Sequence, residues 1–129
     1  MIVVDSSVWI ALLRRTPSQA VAQLKAIESA RSILVGDIVL MEVLRGARDE
    51  AHASALEKRM RSFQVRPMLS PELASQAARH YRKLRGLGVT IRKSPDLIIA
   101  TYCIATGHRL LHQDRDFDPF IAHCGLLIA

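Results

Sequence analysis

Ile2-Val3-Val4-Asp5-Ser6-Ser7-Val8-Trp9-Ile10 opens as a β-branched apolar run and breaks off at a carboxylate. Three consecutive β-branched or aliphatic residues suit a strand buried on both faces, as in parallel sheets covered by helices. After Asp5 and two hydroxyl residues, apolar positions recur with helical spacing, so that Trp9, Leu12 and Leu13 share one face. A carboxylate thus stands at the carboxyl end of a central strand, the edge where open parallel sheets bind ligands. Asp5 is a candidate site residue on that ground. It is equally a candidate N-cap for the helix that follows.

Outward from this stretch, strand and helix patterns alternate. Ile33 to Val35, Phe63 to Val65 and Arg109 to His112 read as further strands, with Leu126 to Ile128 as an edge strand. The first helix spans Ser7 to Arg15, and Thr16-Pro17 is expected to open a second that ends near Arg31. A third runs from Ile38 to Arg48 and continues as a charged helix from Asp49 to Arg61. Ser70-Pro71-Glu72 opens a long helix to about Arg85, and Ser94-Pro95-Asp96 opens an apolar helix that Gly107 terminates at Thr106. Strands joined through helices point to right-handed parallel crossovers. Neither a linker nor an internal repeat divides the 129 residues, so one domain over 1–129 is expected.

Composition narrows the function classes. Charges interrupt every apolar run well short of the ~18 residues of a membrane span. Met1 leads straight into a core strand without a basic segment or cleavage site, which points to the cytoplasm. Cys103 and Cys124 lack metal-ligand or disulfide-framework spacing and read as reduced thiols. The formal net charge of +6 suggests a polyanionic partner, nucleic acid first, although a solubilising excess would look the same. Aromatic residues make up only 5%, which argues against base stacking as the main binding device.

Beyond Asp5, three acids stand where chemistry could use them. Glu42 intrudes among Val39, Leu40, Met41, Val43 and Leu44, so it needs a polar window or bears a large desolvation cost; a pair with Arg45 or Arg48 would also explain it. Asp96 lies in a first helical turn, where the helix dipole alone favours an anion. Asp114 follows a strand and is succeeded by Asp116 and Asp118, more acids than a cap requires. If the sheet is parallel, Asp5, Glu42, Asp96 and Asp114 can converge on one crevice. Hard carboxylate oxygens without a Cys or His cluster suit Mg²⁺ or Mn²⁺. An acidic metal pocket on a basic protein fits phosphodiester hydrolysis. Arg79, Arg82 and Lys83 on the long helix, with Arg92, Lys93 and Arg115 flanking the acids in sequence, are candidate nucleic-acid contacts; a solvated basic face is the alternative for the helix.

Four blocks carry a family resemblance: Val-Val-Asp-Ser-Ser-Val-Trp-Ile at 3–10, Glu-Val-Leu-Arg-Gly at 42–46, Pro-Asp-Leu-Ile-Ile-Ala at 95–100 and Leu-Leu-His-Gln-Asp-Arg-Asp-Phe at 110–117. In this order the chain resembles the PIN domain, specifically the toxin nuclease of VapBC toxin–antitoxin pairs. The resemblance implies a three-layer α/β/α fold with a mostly parallel sheet, a homodimer, and an Mg²⁺-dependent endoribonuclease neutralised by a VapB-type antitoxin in a hetero-oligomer. By position it implies Asp5, Glu42, Asp96 and Asp114 as the catalytic acids, with Asp5, Asp96 and Asp114 on the metal and Asp116 auxiliary. Ser6 or Ser7 would orient a carboxylate or water. The family commonly has a hydroxyl residue where this chain has His112, which could bond phosphate, bond Asp114 or play a structural part. Two rival classes fit less well: a PIN-like binding module without turnover, and a metal-dependent phosphotransfer or phosphatase domain. The latter lacks a second Asp two residues after Asp5.

Overall fold

A computed structural model describes residues 1–129. Four short strands, β1 (Ile2–Val4), β2 (Ile33–Gly36), β3 (Gln64–Arg66) and β4 (Arg109–Leu111), form one sheet in the order β3-β2-β1-β4. Every pairing is parallel. Seven helices accompany them: α1 (Ser6–Leu13), α2 (Gln19–Ala26), α3 (Asp37–Leu44), α4 (Glu50–Met60), α5 (Pro71–Gly86), α6 (Ser94–Thr106) and α7 (Asp118–His123).

Strand order sets the layers. The chain steps from β1 to β2 to β3 in one direction and then returns across the sheet to β4. Right-handed crossovers therefore put α1–α4 on one face and α5–α6 on the other. Packing agrees, since α1 meets α2 and α3, α3 meets α4, and α5 meets α6. This is the expected three-layer α/β/α arrangement. The reversal falls between β1 and β4, so the crevice of the sheet opens at their carboxyl ends. Register carries the two strand-end acids to that place: Val4 pairs with Leu111, and the Asp5 N–H donates to the Leu111 carbonyl at 2.9 Å.

The core accounts for the apolar runs. Val3, Val4, Val35, Ile99, Leu110 and Phe117 are fully or almost fully buried in one continuous cluster. Trp9 lies against Phe63, ring centroids 5.2 Å apart. Both cysteines are free, Cys103 buried and Cys124 half-buried, as expected of reduced thiols. Burial pushes the Cys103 thiol up to about 12, which makes it inert.

Four local expectations give way. Thr16-Pro17 does not open α2; Ser18 caps it through the Val21 N–H. Thr16 is already committed, because α1 closes with Arg15 at a left-handed φ of 57°, Thr16 N–H on the Ala11 carbonyl and Arg15 N–H on that of Leu12. The second helix stops at Ala26, well before Arg31, because Ile27 turns extended and Ser29 caps a separate 3₁₀ turn at Ala30–Ser32. The third helix ends at Leu44 and does not continue into the charged one, since Asp49 caps α4 anew through the His52 N–H. Leu126 to Ile128 forms only a single parallel bridge, Leu110 to Ile128, in place of an edge strand. The short α7 was not anticipated.

Candidate metal centre

The site is built from residues that also serve the backbone. Asp5 follows β1, and its Oδ2 accepts the Ser7 N–H at 3.0 Å and the Ser7 hydroxyl at 2.5 Å. That is the N-cap expected of it. Its Oδ1 meets no donor, although the residue is only 2% exposed. Asp96, in the first turn of α6, is 5% exposed and makes no cap bond; its Oδ2 is likewise buried without a partner. Four buried side-chain polar atoms in the chain lack partners, and the two on charged groups are these carboxylate oxygens. Leaving an ionised oxygen unpaired in the interior costs more than neutral groups do, so a pair of them calls for a cation.

Asp114, after β4, is tied down on both oxygens. Its Oδ1 accepts the Asp116 N–H at 2.9 Å, and its Oδ2 accepts Lys93 Nζ at 3.2 Å. Asp116 Oδ2 lies 3.1 Å from the same ammonium. Carboxylate oxygens of Asp96, Asp114 and Asp116 all fall within 4.8 Å of one another. Asp116, expected as an auxiliary acid, therefore belongs to the tightest group, which does not include Asp5. Asp5 is nonetheless felt electrostatically by both Asp96 and Glu42. Glu42 reaches the site through the polar window that its apolar neighbours demanded: Ser6 Oγ donates to its Oε1 at 3.1 Å, whereas Arg45 stays 4.0 Å away. The two serines thus divide the work, Ser6 on Glu42 and Ser7 on Asp5.

Charge states follow from burial and crowding. Asp96 is pushed up to about 7, first by burial and then by the like charges of Asp5 and Asp114. Burial also raises Asp5 against the pull of its Ser7 hydrogen bonds, and raises Glu42 against Ser6. Asp114 moves the other way: burial would raise it, but the Asp116 N–H and Lys93 hold it below the usual carboxylate range. Lys93 itself is raised by its bonds to Asp116 and Asp114.

His112 bonds Asp114, through that residue's backbone. Its Nδ1 accepts the Asp114 N–H at 3.2 Å, and its ring packs edge-on against Phe117, centroids 5.0 Å apart. Lys93 stands between acids, a placement that sequence spacing did not reveal. One signal was present: a cation at the N-cap of α6 opposes the helix dipole and needs another anion to justify it. Arg92 and Arg115 lie nearby on a shared groove with Lys93, while Arg79, Arg82 and Lys83 lie on α5.

The sequence matches the PIN domain family over residues 2–120. The chain belongs to the PIN-domain family. This PIN domain is 34% identical over 123 residues to the ribonuclease VapC11 of Mycobacterium tuberculosis, covering 92% of this chain and 90% of that one. Its fold is similar to the VapBC2 complex of Rickettsia felis bound to a promoter DNA fragment, with TM-score 0.78, 18% identity and coverage of 100% and 98%. It is also similar to VapBC-1 of nontypeable Haemophilus influenzae, with TM-score 0.76, 16% identity and coverage of 100% and 97%. No helix of this PIN domain is long and apolar enough to cross a membrane.

Proton and metal should compete at the acids. A carboxyl group raised from 3.8 to about 7 in the folded protein contributes stability that is full below its unfolded value and lost as pH rises through about 7. Such a displacement corresponds to about 4 kcal/mol. Asp5 and Glu42 add to this loss, and Asp114 opposes it. In EDTA the melting temperature is expected to fall between about pH 4 and 7. If these acids hold a divalent ion, the increment gained on saturating them with it should grow over the same window. Thermal melts from pH 4 to 8.5 with and without Mg²⁺ check this; an increment independent of pH would exclude these acids as the metal site.

Proposed function

We propose that this chain is a single-domain, VapC-type endoribonuclease that hydrolyses RNA phosphodiester bonds with a divalent ion, Mg²⁺ or in its place Mn²⁺. The observation that carries the reading is the pair of buried, unpartnered carboxylate oxygens of Asp5 and Asp96 beside the Asp114–Asp116 cluster. The donor set is all hard oxygen, as Mg²⁺ prefers. Asp5, Asp96 and Asp114 would hold the ion, with Asp116 close enough to join them. When bound, the ion would activate water and stabilise the leaving oxygen.

The protein's own residues supply position and charge. Ser7 fixes one Asp5 oxygen and leaves the other free. Ser6 aims Glu42, whose burial-raised proton affinity suits it to accept a proton released from water. Asp114 stays ionised through the Asp116 N–H and Lys93. Relatives carry the name VapC ribonuclease, and fold neighbours were solved as toxin–antitoxin complexes. On that support a VapB-type antitoxin is the proposed protein partner, in a hetero-oligomer built on a homodimer acting in the cytoplasm. The proposed dock for an antitoxin segment is a cavity of about 500 Å³ lined by Ile10, Leu13, Val43 and Leu56 together with Arg14, Arg48, His52 and Arg59.

The test is cleavage of a mixed RNA pool by antitoxin-free protein with Mg²⁺, Mn²⁺ or EDTA. Defined fragments that require the metal are expected. Retarded but intact RNA would point to a binding module, and phosphate release from small esters without RNA cleavage to a phosphotransfer domain.

A further inference from the structure

A second, smaller concavity adjoins the acids, formed by the loop of residues 89–93 before α6 and the segment 115–119 that leads into α7. Its volume is about 240 Å³. That is room for about eight waters at ~30 Å³ each, a scale that suits one phosphate with part of its sugar. Arg92, Lys93 and Arg115 line it against a single acid, Asp116. Lys93 and Asp116 are also members of the acidic site, 3.1 Å apart, so groove and site share a wall. Arg92 and Arg115 are exposed and take part in no ion pair.

The other basic surface is less available. On α5, Lys83 Nζ donates to the His123 carbonyl at 2.6 Å, and the Arg85 guanidinium sits over the Tyr81 ring at 5.7 Å. Only Arg79 and Arg82 remain uncommitted there, on a convex helix with no cavity beside them. Guanidinium forks suit phosphate oxygens, and a concave cationic wall beside the acids focuses its potential on an anion more than a convex face does.

We infer that the groove between residues 89–93 and 115–119 seats an RNA backbone phosphate flanking the scissile one, with Arg92 and Arg115 as its ligands. The inference rests on the ribonuclease reading. It further says which of two basic surfaces takes the strand.

The test is binding of a fluorescent, uncleavable 2′-O-methyl RNA 12-mer of mixed sequence in EDTA, measured across a salt series. Arg92→Gln/Arg115→Gln is compared with Arg79→Gln/Arg82→Gln. Each lost contact to a single strand should flatten the slope of log affinity against log salt by about 0.7. The groove variant is therefore expected to flatten by about 1.4 and to bind about tenfold more weakly, with the α5 variant unchanged. Flattening by the α5 variant alone, or by neither, overturns the inference. Equal binding of a glutamate 12-mer, with the same sensitivity to the groove variant, overturns RNA as the occupant. Because no divalent ion is present, a wild-type protein that cleaves RNA but whose groove variant binds normally refutes the groove alone. A protein that never cleaves, yet shows the groove slope, refutes the nuclease reading alone.

Discussion

Asp96→Asn is expected to remove metal-dependent RNA cleavage, by about a thousandfold or more, while raising the thermal stability of the metal-free protein at pH 8. The two effects share one cause. Asp96 is buried at the start of α6, has one oxygen without a partner and crowds against Asp5 and Asp114. Ionised at pH 8, it is a net cost to the fold that a bound divalent ion would offset. Asparagine keeps the shape, drops the charge and so relieves the crowding, but it forfeits the anionic oxygen that would hold the ion. Asp96 makes no cap bond in α6, so the helix loses only the favourable dipole interaction of a first-turn anion, a few tenths to about 1 kcal/mol, less than the crowding relieved. Melts in EDTA and fragment analysis with Mg²⁺ measure both arms. A variant that unfolds would assign Asp96 to structure, and one that cleaves normally would take it out of the site.

Much of this geometry was legible because chemistry and topology coincide in the sequence. Ile2–Val4 and Arg109–Leu111 read as strands, and parallel pairing at the point where strand order reverses must bring their trailing acids together. Glu42 was legible as an anomaly among apolar neighbours, and Ser6 proved to be its outlet. The even choice over Asp5, cap or site, dissolves at the level of atoms: Oδ2 caps α1 while Oδ1 is left over. What could not be read depended on competition between near-equal local options. Thr16 and Ser18 are both good caps, and only the left-handed closure at Arg15 decides between them. The role of Lys93 between Asp114 and Asp116 depends on side chains some twenty residues apart in sequence meeting across the crevice, for which spacing along the chain gives no signal.

Gly36→Ala is expected to destabilise the protein by about 1–3 kcal/mol, lowering the melting temperature by roughly 5 to 10 °C. Gly36 ends β2 and precedes α3 with a φ of −74°, which any residue can adopt, so the cost is one of space and not of backbone strain. A methyl group there would fall on Met68 Sδ, and come within 2.7 Å of its Cγ and 2.8 Å of its Cε. Met68 is fully buried, so its thioether cannot swing into solvent to make room. The Met68 N–H is also held by Asp37 Oδ1 at 3.1 Å, which anchors the backbone that would have to shift. Met68→Ala alone should cost about 2–5 kcal/mol through the cavity it leaves. The double variant should cost less than the sum of the singles by at least about 1 kcal/mol, since the new methyl then occupies space the thioether vacated. Denaturant melts of the three variants decide it. Strict additivity would show that Met68 repacks freely and that the seam between β2 and the loop after β3 is looser than its burial implies. A large coupling would make this contact the clamp that sets the start of α3, and through α3 the position of Glu42.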